Sequence, residues 1–275
     1  MDASVAESPR MLRTPCLRPP VKGRTDHIVS KPREIPGAQT AQRALKILKL
    51  LGAHHQQGLT TQQIVAASGE ERSAVQRALG SLLEEGLVQR GADQRRYHLG
   101  LEAMHIGRAT LRHSPLVGSY QFALQKIARL TGDTVFLSTR VGDYVLCIYR
   151  DEGSSPVRAP RTRAGDLRVL GTTAGGLAIL SALPDEEIRS IHERHAAAFT
   201  QAGMDFPALR RRVAQTRREG YAVLSDNVSE GVTSVGMCIG SEVEPFAAAA
   251  IAAARSRMGA ERIAILHQLL KELRA

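Results

Sequence analysis

The apolar positions that begin near residue 40 form three short helical stripes followed by two strand-like runs. Ala44, Leu45, Ile47, Leu48 and Leu51 recur at helical spacing, with Arg43, Lys46 and Lys49 on the other face. Thr40 reads as the N-cap, and Gly52 and the polar stretch to Gly58 end the helix. Thr60 or Thr61 caps a second, short helix over 62–68, apolar at Ile64, Val65 and Ala67, and Ser68-Gly-Glu70 is a turn. A third helix over 71–85 buries Val75, Leu79, Leu82 and Leu83 before Gly86 stops it. Residues 87–90 and 95–99 then read as strands joined by a turn at Gly91-Ala-Asp-Gln94. Three small helices closed by a two-stranded hairpin predict a winged helix-turn-helix over 40–100.

A helix over 101–112 follows, apolar at Leu101, Met104 and Ile106. It has no partner in the small domain, so it reads as a linker (101–114) or dimer contact, closed by Pro115 at the domain boundary. The pattern then changes. A helix over 117–130 precedes strands at 135–137 and 144–149 with a tight turn between them. A basic loop carries Arg158, Arg161, Arg163 and Arg168, and a Gly-rich turn at 171–176 leads into an apolar helix over 177–183. Pro184 opens another helix, 206–219 is basic and amphipathic, and strands start at Gly220, 232–239 and 245–252 before a last helix over 259–273. Strands of antiparallel type mixed with helices predict an α+β domain over 115–275.

The first 39 residues show no period and hold six of the twelve prolines, which predicts a disordered basic tail. The 275-residue chain has a net charge of +10; the first 113 residues carry +7 of it and the other 162 only +3. A polyanionic partner is therefore expected near the front of the chain. Cys16, Cys147 and Cys238 are too far apart for a CxxC site and suit a reducing compartment. No apolar run approaches the roughly 20 residues of a spanning helix, and the basic N-terminus has no apolar h-region, so no signal peptide is expected. A cytoplasmic protein without membrane contact is expected.

With Val75, Leu79 and Leu82 inward, Arg72, Ser73, Gln76 and Arg77 fall on the outer face of the third helix, the element that enters the major groove in such a motif. Arg can bond guanine bidentately, Gln can read adenine and Ser can take a phosphate. Thr60 at the second helix start and Arg95 and Arg96 on the wing complete the candidate double-stranded DNA contacts. Glu70 and Glu71 place acid beside this face, where they can instead favour the helix N-terminus. In the second half, Thr173-Ala-Gly-Gly176 puts small residues ahead of a helix, where backbone N–H groups can approach an anion. His192 and His195 could share a metal on one helix face, but a pair with no third ligand is the surface pattern, and no metal or cofactor is expected. There is no GxSxG, HExxH, GxGxxG or P-loop, so no catalytic residue is nominated.

Several stretches, taken in order over 40–275, resemble the isocitrate lyase regulator (IclR) family of bacterial transcription factors. They are Gly58-Leu-Thr-Thr-Gln-Gln-Ile-Val-Ala-Ala-Ser-Gly69, Ser73-Ala-Val-Gln-Arg-Ala-Leu79, Gly86-Leu-Val88 and Tyr97-His-Leu-Gly100. Thr172-Thr-Ala-Gly-Gly-Leu-Ala-Ile-Leu-Ser-Ala-Leu-Pro184, Gly220-Tyr-Ala222 and Val235-Gly-Met-Cys-Ile239 continue the match. The resemblance implies a winged-helix domain, a linker helix, and a GAF-like effector domain that binds a small, carboxylate-bearing metabolite. It also implies a homodimer or homotetramer on a palindromic operator, more often as a repressor. Carried over residue by residue, it places the effector at Ala174, Gly175, Gly176, Leu224, Ser225, Asp226, Ser234, Ala250 and Ala252. Ala250 and Ala252 stand where well-known members have serines, which points to a ligand with an apolar or aromatic body. Two other readings are a constitutive DNA-binding protein whose second domain only oligomerises, and an enzyme built on that domain, for which no sequence feature speaks.

Overall fold

The computed structural model describes residues 37–55, 57–155 apart from His113, 162–240 and 246–274, with 111–112 as backbone only. Most of the expected tail, and Arg158 and Arg161 of the basic loop, lie outside the described residues. The chain divides between Pro115 and Leu116 into two compact units.

The first unit contains α1 (Gln39–Ala53), β1 (Leu59–Thr60), α2 (Thr61–Ser68), α3 (Arg72–Glu84), β2 (Val88–Arg90), β3 (Arg96–Leu99) and α4 (Leu101–Arg112). Its core joins Ile47 and Leu51 of α1 to Ile64 of α2 and Val75, Leu79 and Leu82 of α3, closed by Val88 and Tyr97 of the wing. Of the apolar stripes read from the sequence, Ile47, Leu51, Ile64, Val75, Leu79 and Leu82 are buried and Ala44, Leu48, Val65 and Leu83 pack partly against them, whereas Leu45 and Ala67 are exposed. Thr40 is not a cap: α1 begins a residue earlier, and its N-cap Ala38 makes no side-chain hydrogen bond. The wing has three strands rather than two, in the order β1-β3-β2, because the two-residue β1 pairs with β3. So short a strand shows no alternation to read.

Thr60 caps α2 through a full capping box with Gln63, and Gly69 ends the helix in the left-handed region. Thr60→Ala removes the side chain that accepts from the Gln63 N–H. It should lower stability by about 1 kcal/mol, measured as a shift in urea midpoint at unchanged slope. Gly100 is required by close approach: a Cβ there would lie 2.0 Å from the Gly86 carbonyl oxygen. The Gly100 N–H bonds the Leu87 oxygen and the Glu102 N–H bonds the Gly86 oxygen, so the start of α4 is tied to the wing.

The second unit contains α5 (Pro115–Thr131), β4 (Thr134–Val141), β5 (Tyr144–Asp151), β6 (Leu167–Val169), α6 (Ala174–Ser181), α7 (Asp185–Arg194), α8 (Ala196–Gln201), α9 (Phe206–Glu219), β7 (Ala222–Ser225), β8 (Val232–Cys238), β9 (Ala247–Ala254) and α10 (Ala260–Lys271). The strands form one antiparallel sheet in the order β6-β5-β4-β9-β8-β7. Helices α5 and α10 cover one face, through Leu124, Ile127, Leu266 and Leu270. Helix α6 covers the other, with Ile188, Ile191, Phe199, Leu209 and Val213 of α7, α8 and α9 behind it. Strand β9 is Ala-Ala-Ala-Ala-Ile-Ala-Ala-Ala. Alanine has modest strand propensity, but every residue of β9 up to Ala253 is buried, so packing decides. Its methyls also let α6 approach closely.

Four details differ from the sequence reading. Pro115 opens α5 instead of closing α4, a position where its missing N–H costs nothing. Strand β6 and helix α8 are too short to show a period. Helix α6 begins at Ala174, so the Gly-rich turn is its first turn, capped by Thr173. His195 ends α7 as its C-cap and does not share a helix face with His192.

His267 on α10 stacks on Tyr221 with ring centroids 4.2 Å apart. Burial first, then the positive charges of Lys271 and Arg274, hold its pKa down to about 4 from an ordinary 6.5. The unfolded chain therefore takes up this proton first as pH falls. The stability contribution is complete above about pH 6.5 and declines towards pH 4. Melting temperature should drop across that window, and His267→Gln should flatten the slope.

Candidate functional site

The first candidate surface is the outer face of α3. Val75, Ala78, Leu79 and Leu82 are buried, which leaves Arg72, Ser73, Gln76 and Arg77 exposed on the opposite side. No carboxylate pairs with Arg72 or Arg77 among the described residues. The acid near the helix start is accounted for: Glu70 accepts from Arg43 Nε at 2.8 Å, with Lys46 Nζ at 3.5 Å. Lys46 also donates to the Ser68 carbonyl. Two α1 cations thus neutralise Glu70 and tie down the turn that aims α3. Glu71 is the N-cap without a side-chain hydrogen bond.

The wing is stiffened at its tip. Asp93 Oδ1 accepts the N–H groups of Arg95 and Arg96, each at 3.0 Å, and these bonds are the main reason its pKa is lowered. Arg90 lies 5.0 Å over the Tyr97 ring and donates to the Gln94 carbonyl. Arg95 is left exposed. Arg96 is occupied: its Nη1 donates to the carbonyls of Gln57 and Gly58, and its Nε faces Asp93 at 3.6 Å. The Thr60 hydroxyl serves the capping box. Arg96 and Thr60 therefore hold the scaffold, while Arg72, Ser73, Gln76, Arg77 and Arg95 present free side chains.

The second candidate site is a cavity in the second unit, between the sheet and the start of α6, of about 710 Å³ with its open mouth included. The floor comes from alternate residues of four strands: Phe136 and Ser138 of β4, Val145 and Cys147 of β5, Ala250 and Ala252 of β9, and Val232 and Ser234 of β8. The walls are Thr172 to Gly175, Leu224, Asn227 to Ser229, and Thr162, Asp166 and Arg168. Thr173 Oγ1 accepts from the Gly176 N–H at 3.0 Å, and the Thr173 carbonyl accepts from the Leu177 N–H. The N–H groups of Ala174 and Gly175 have no acceptor among the described residues. They sit at the positive end of α6. Gly236 of β8 brings the sheet against this turn: a Cβ there would lie 2.5 Å from the Ala174 carbonyl carbon.

Six of the nine expected effector positions line the cavity: Ala174, Gly175, Leu224, Ser234, Ala250 and Ala252. Three do not. Gly176 faces Val145 and the Thr173 hydroxyl. Ser225 is exposed and bonds Thr233 Oγ1 at 2.8 Å. Asp226 shapes a turn at φ +62, accepting from the Gly231 N–H and from Arg255. On β7, Leu224 points inward, so Ser225 next to it must point away. The lining residues missed were Phe136, Ser138, Val145, Cys147, Thr162, Asp166, Arg168, Thr172, Thr173, Asn227, Val228, Ser229 and Val232. The Phe136/Ser138 alternation was legible, but only the sheet order shows that it meets Ala250. Cys147 borders the cavity; burial, and then the charge of Asp166, push its thiol up to about 11, so it stays protonated. His192 lies between Phe199 and Phe206, at 4.7 and 5.2 Å, while His195 bonds Asp143 at 3.0 Å. The two histidines serve separate contacts, and no group of three metal-ligating side chains occurs among the described residues.

Residues 108–275 match the C-terminal domain of the bacterial transcriptional regulator IclR, and residues 40–92 match the IclR helix-turn-helix domain. The chain belongs to the IclR family. Its relatives include the acetate operon repressor of Salmonella typhimurium, 26% identical over 82% of this chain and 83% of that protein. The regulator Rv1719 of Mycobacterium tuberculosis is 32% identical over 73% of this chain and 76% of that protein. The fold is shared with an IclR-family regulator of Brucella abortus, at TM-score 0.72, 18% identity and 97% coverage of both chains. It is also shared with an IclR homologue of Microbacterium hydrocarbonoxydans solved with 4-hydroxybenzoate, at TM-score 0.60 and 18% identity, covering 86% of this chain and 97% of that one. This IclR-family chain is a DNA-binding transcriptional regulator with a helix-turn-helix domain and a C-terminal α/β domain. No described helix is long and apolar enough to cross a membrane.

Proposed function

We propose that this regulator is a repressor whose binding to a palindromic operator is modulated by a small carboxylate held in the second-unit cavity. The observation that carries the reading is the cavity's end wall, lined by Ala174 and Gly175 at the start of α6, whose N–H groups have no acceptor among the described residues. A carboxylate there gains charge-assisted hydrogen bonds and the favourable end of the helix dipole. The hydroxyls of Thr172 and Thr173 stand on the same wall, and Arg168 adds a cation elsewhere in the lining. Phe136, Ala250, Ala252, Leu224 and Val232 suit an apolar or aromatic body, in keeping with the ligand named for the Microbacterium homologue. Arg72, Ser73, Gln76, Arg77 and Arg95 contact the operator. Leu101, Met104 and Ile106 of α4 are 70%, 58% and 58% exposed, an apolar face that fits a homodimer partner and the transmission of effector state. We assign no catalytic step to the cavity.

A melting-temperature screen of the full chain against small aliphatic and aromatic carboxylates tests the reading. A ligand specific for the folded form stabilises it by about 2.7 kcal/mol at a hundredfold excess over its dissociation constant. Gly175→Leu, which fills the cavity, should remove the shift. A flat response to the whole panel would favour the constitutive DNA-binder.

A further inference from the structure

We infer that Asp166 reads a hydroxyl at the far end of an elongated monocarboxylate effector, a specificity contact that rests on the cavity being a carboxylate site. Most side-chain polar groups of the lining can donate: the Ser and Thr hydroxyls, the Cys147 thiol and Arg168. Asp166 is the one carboxylate among the described lining residues, and ionised it can only accept. Its Oδ2 takes the Arg163 N–H at 2.8 Å in its own turn, and its second oxygen has no donor among the described residues. It is half-buried, so a ligand that covers it without donating leaves a desolvated charge. Arg168, two residues further along the chain, lines the same cavity and is a donor. A hydroxyl, which both gives and accepts, suits that neighbourhood; a methyl or hydrogen does not.

The sheet sets the length of such a ligand. The Asp166 carbonyl accepts the Cys147 N–H, Cys147 pairs with Ser138, and Ser138 pairs with Ala248. A Cβ on Gly175 would stand 3.6 Å from the Ala248 Cβ. From Asp166 to the strand beneath the α6 turn is therefore three strand spacings, about 14 Å between backbones. Side chains and hydrogen bonds occupy part of that span. The remainder suits a ring with substituents at opposite ends and exceeds what a two- or three-carbon acid bridges.

Calorimetric titration of the full chain with benzoate, 4-hydroxybenzoate, propionate and lactate tests this. 4-Hydroxybenzoate should bind at least tenfold tighter than benzoate, whereas lactate and propionate should differ by less than threefold. Asp166→Asn keeps an acceptor for the Arg163 N–H and should cut the aromatic preference to threefold or less. Asp166→Ala should do the same, with melting curves confirming that both variants fold. Equal binding of the two aromatic acids, or a preference unchanged in both variants, overturns the role of Asp166 and leaves the carboxylate cavity standing. No binding of any of the four overturns both readings.

Discussion

Gly236→Ala should lower stability by about 1–3 kcal/mol, the cost of forcing a methyl into a packed site, and should remove the carboxylate response. The added Cβ would stand 2.5 Å from the Ala174 carbonyl carbon, 2.6 Å from the Gly175 nitrogen and 2.7 Å from the Ala174 oxygen. These are backbone atoms of the turn that presents the free N–H groups, so relief requires α6 to move off the sheet. Gly175→Ala is the informative contrast. Its Cβ meets only the Ala248 and Ala250 methyls, at 3.6 and 3.8 Å. Stability should stay level or rise by up to about 1 kcal/mol, since alanine is the better helix former, while ligand affinity falls because the methyl takes cavity space. Thermal melts and titration separate the two: Gly236→Ala loses both properties, Gly175→Ala only one. Equal stability loss in both would show that α6 tolerates no change, without a specific role for the close contact.

The second large effect is expected on DNA. Arg77→Ala on the exposed face of α3 should cost about 1–3 kcal/mol per half-site and relax the preference at one base position. Arg95→Ala on the wing should weaken all sequences alike and reduce the salt slope of log K by about one per site. Arg96→Ala should behave as a folding variant, because its guanidinium holds the carbonyls of Gln57 and Gly58. Anisotropy titrations on an operator selected from random sequence, at several salt concentrations, distinguish the three. Uniform loss across sequences for Arg77→Ala would move that residue from base reading to phosphate contact.

Much of this was legible where a local rule governs. The buried stripe of α3 follows from Val75, Leu79 and Leu82 at helical spacing, and the exposed Arg72, Gln76 and Arg77 follow from it by subtraction. Helices α4 and α9 begin and end at the residues the pattern indicated. Long-range contacts were not legible. Arg96 reads as a wing cation until its link to the loop at Gln57 is seen. Glu70 reads as a misplaced acid until Arg43, far back in α1, is found beside it. Six cavity residues were anticipated through the family resemblance, yet Asp226 and Ser225 fell on the wrong side of a turn and a strand. Asp166, in an irregular loop ahead of β6, carried no periodic signal at all.

The central claim is that filling the cavity changes operator binding. A ligand does this only if it binds the DNA-competent and incompetent arrangements unequally. The most direct measurement is the affinity of the full chain for its selected operator, by anisotropy, with and without a saturating carboxylate that raises the melting temperature. The account predicts a change of tenfold or more, absent in Gly175→Leu. An operator affinity that stays the same while calorimetry shows the cavity filled would contradict it.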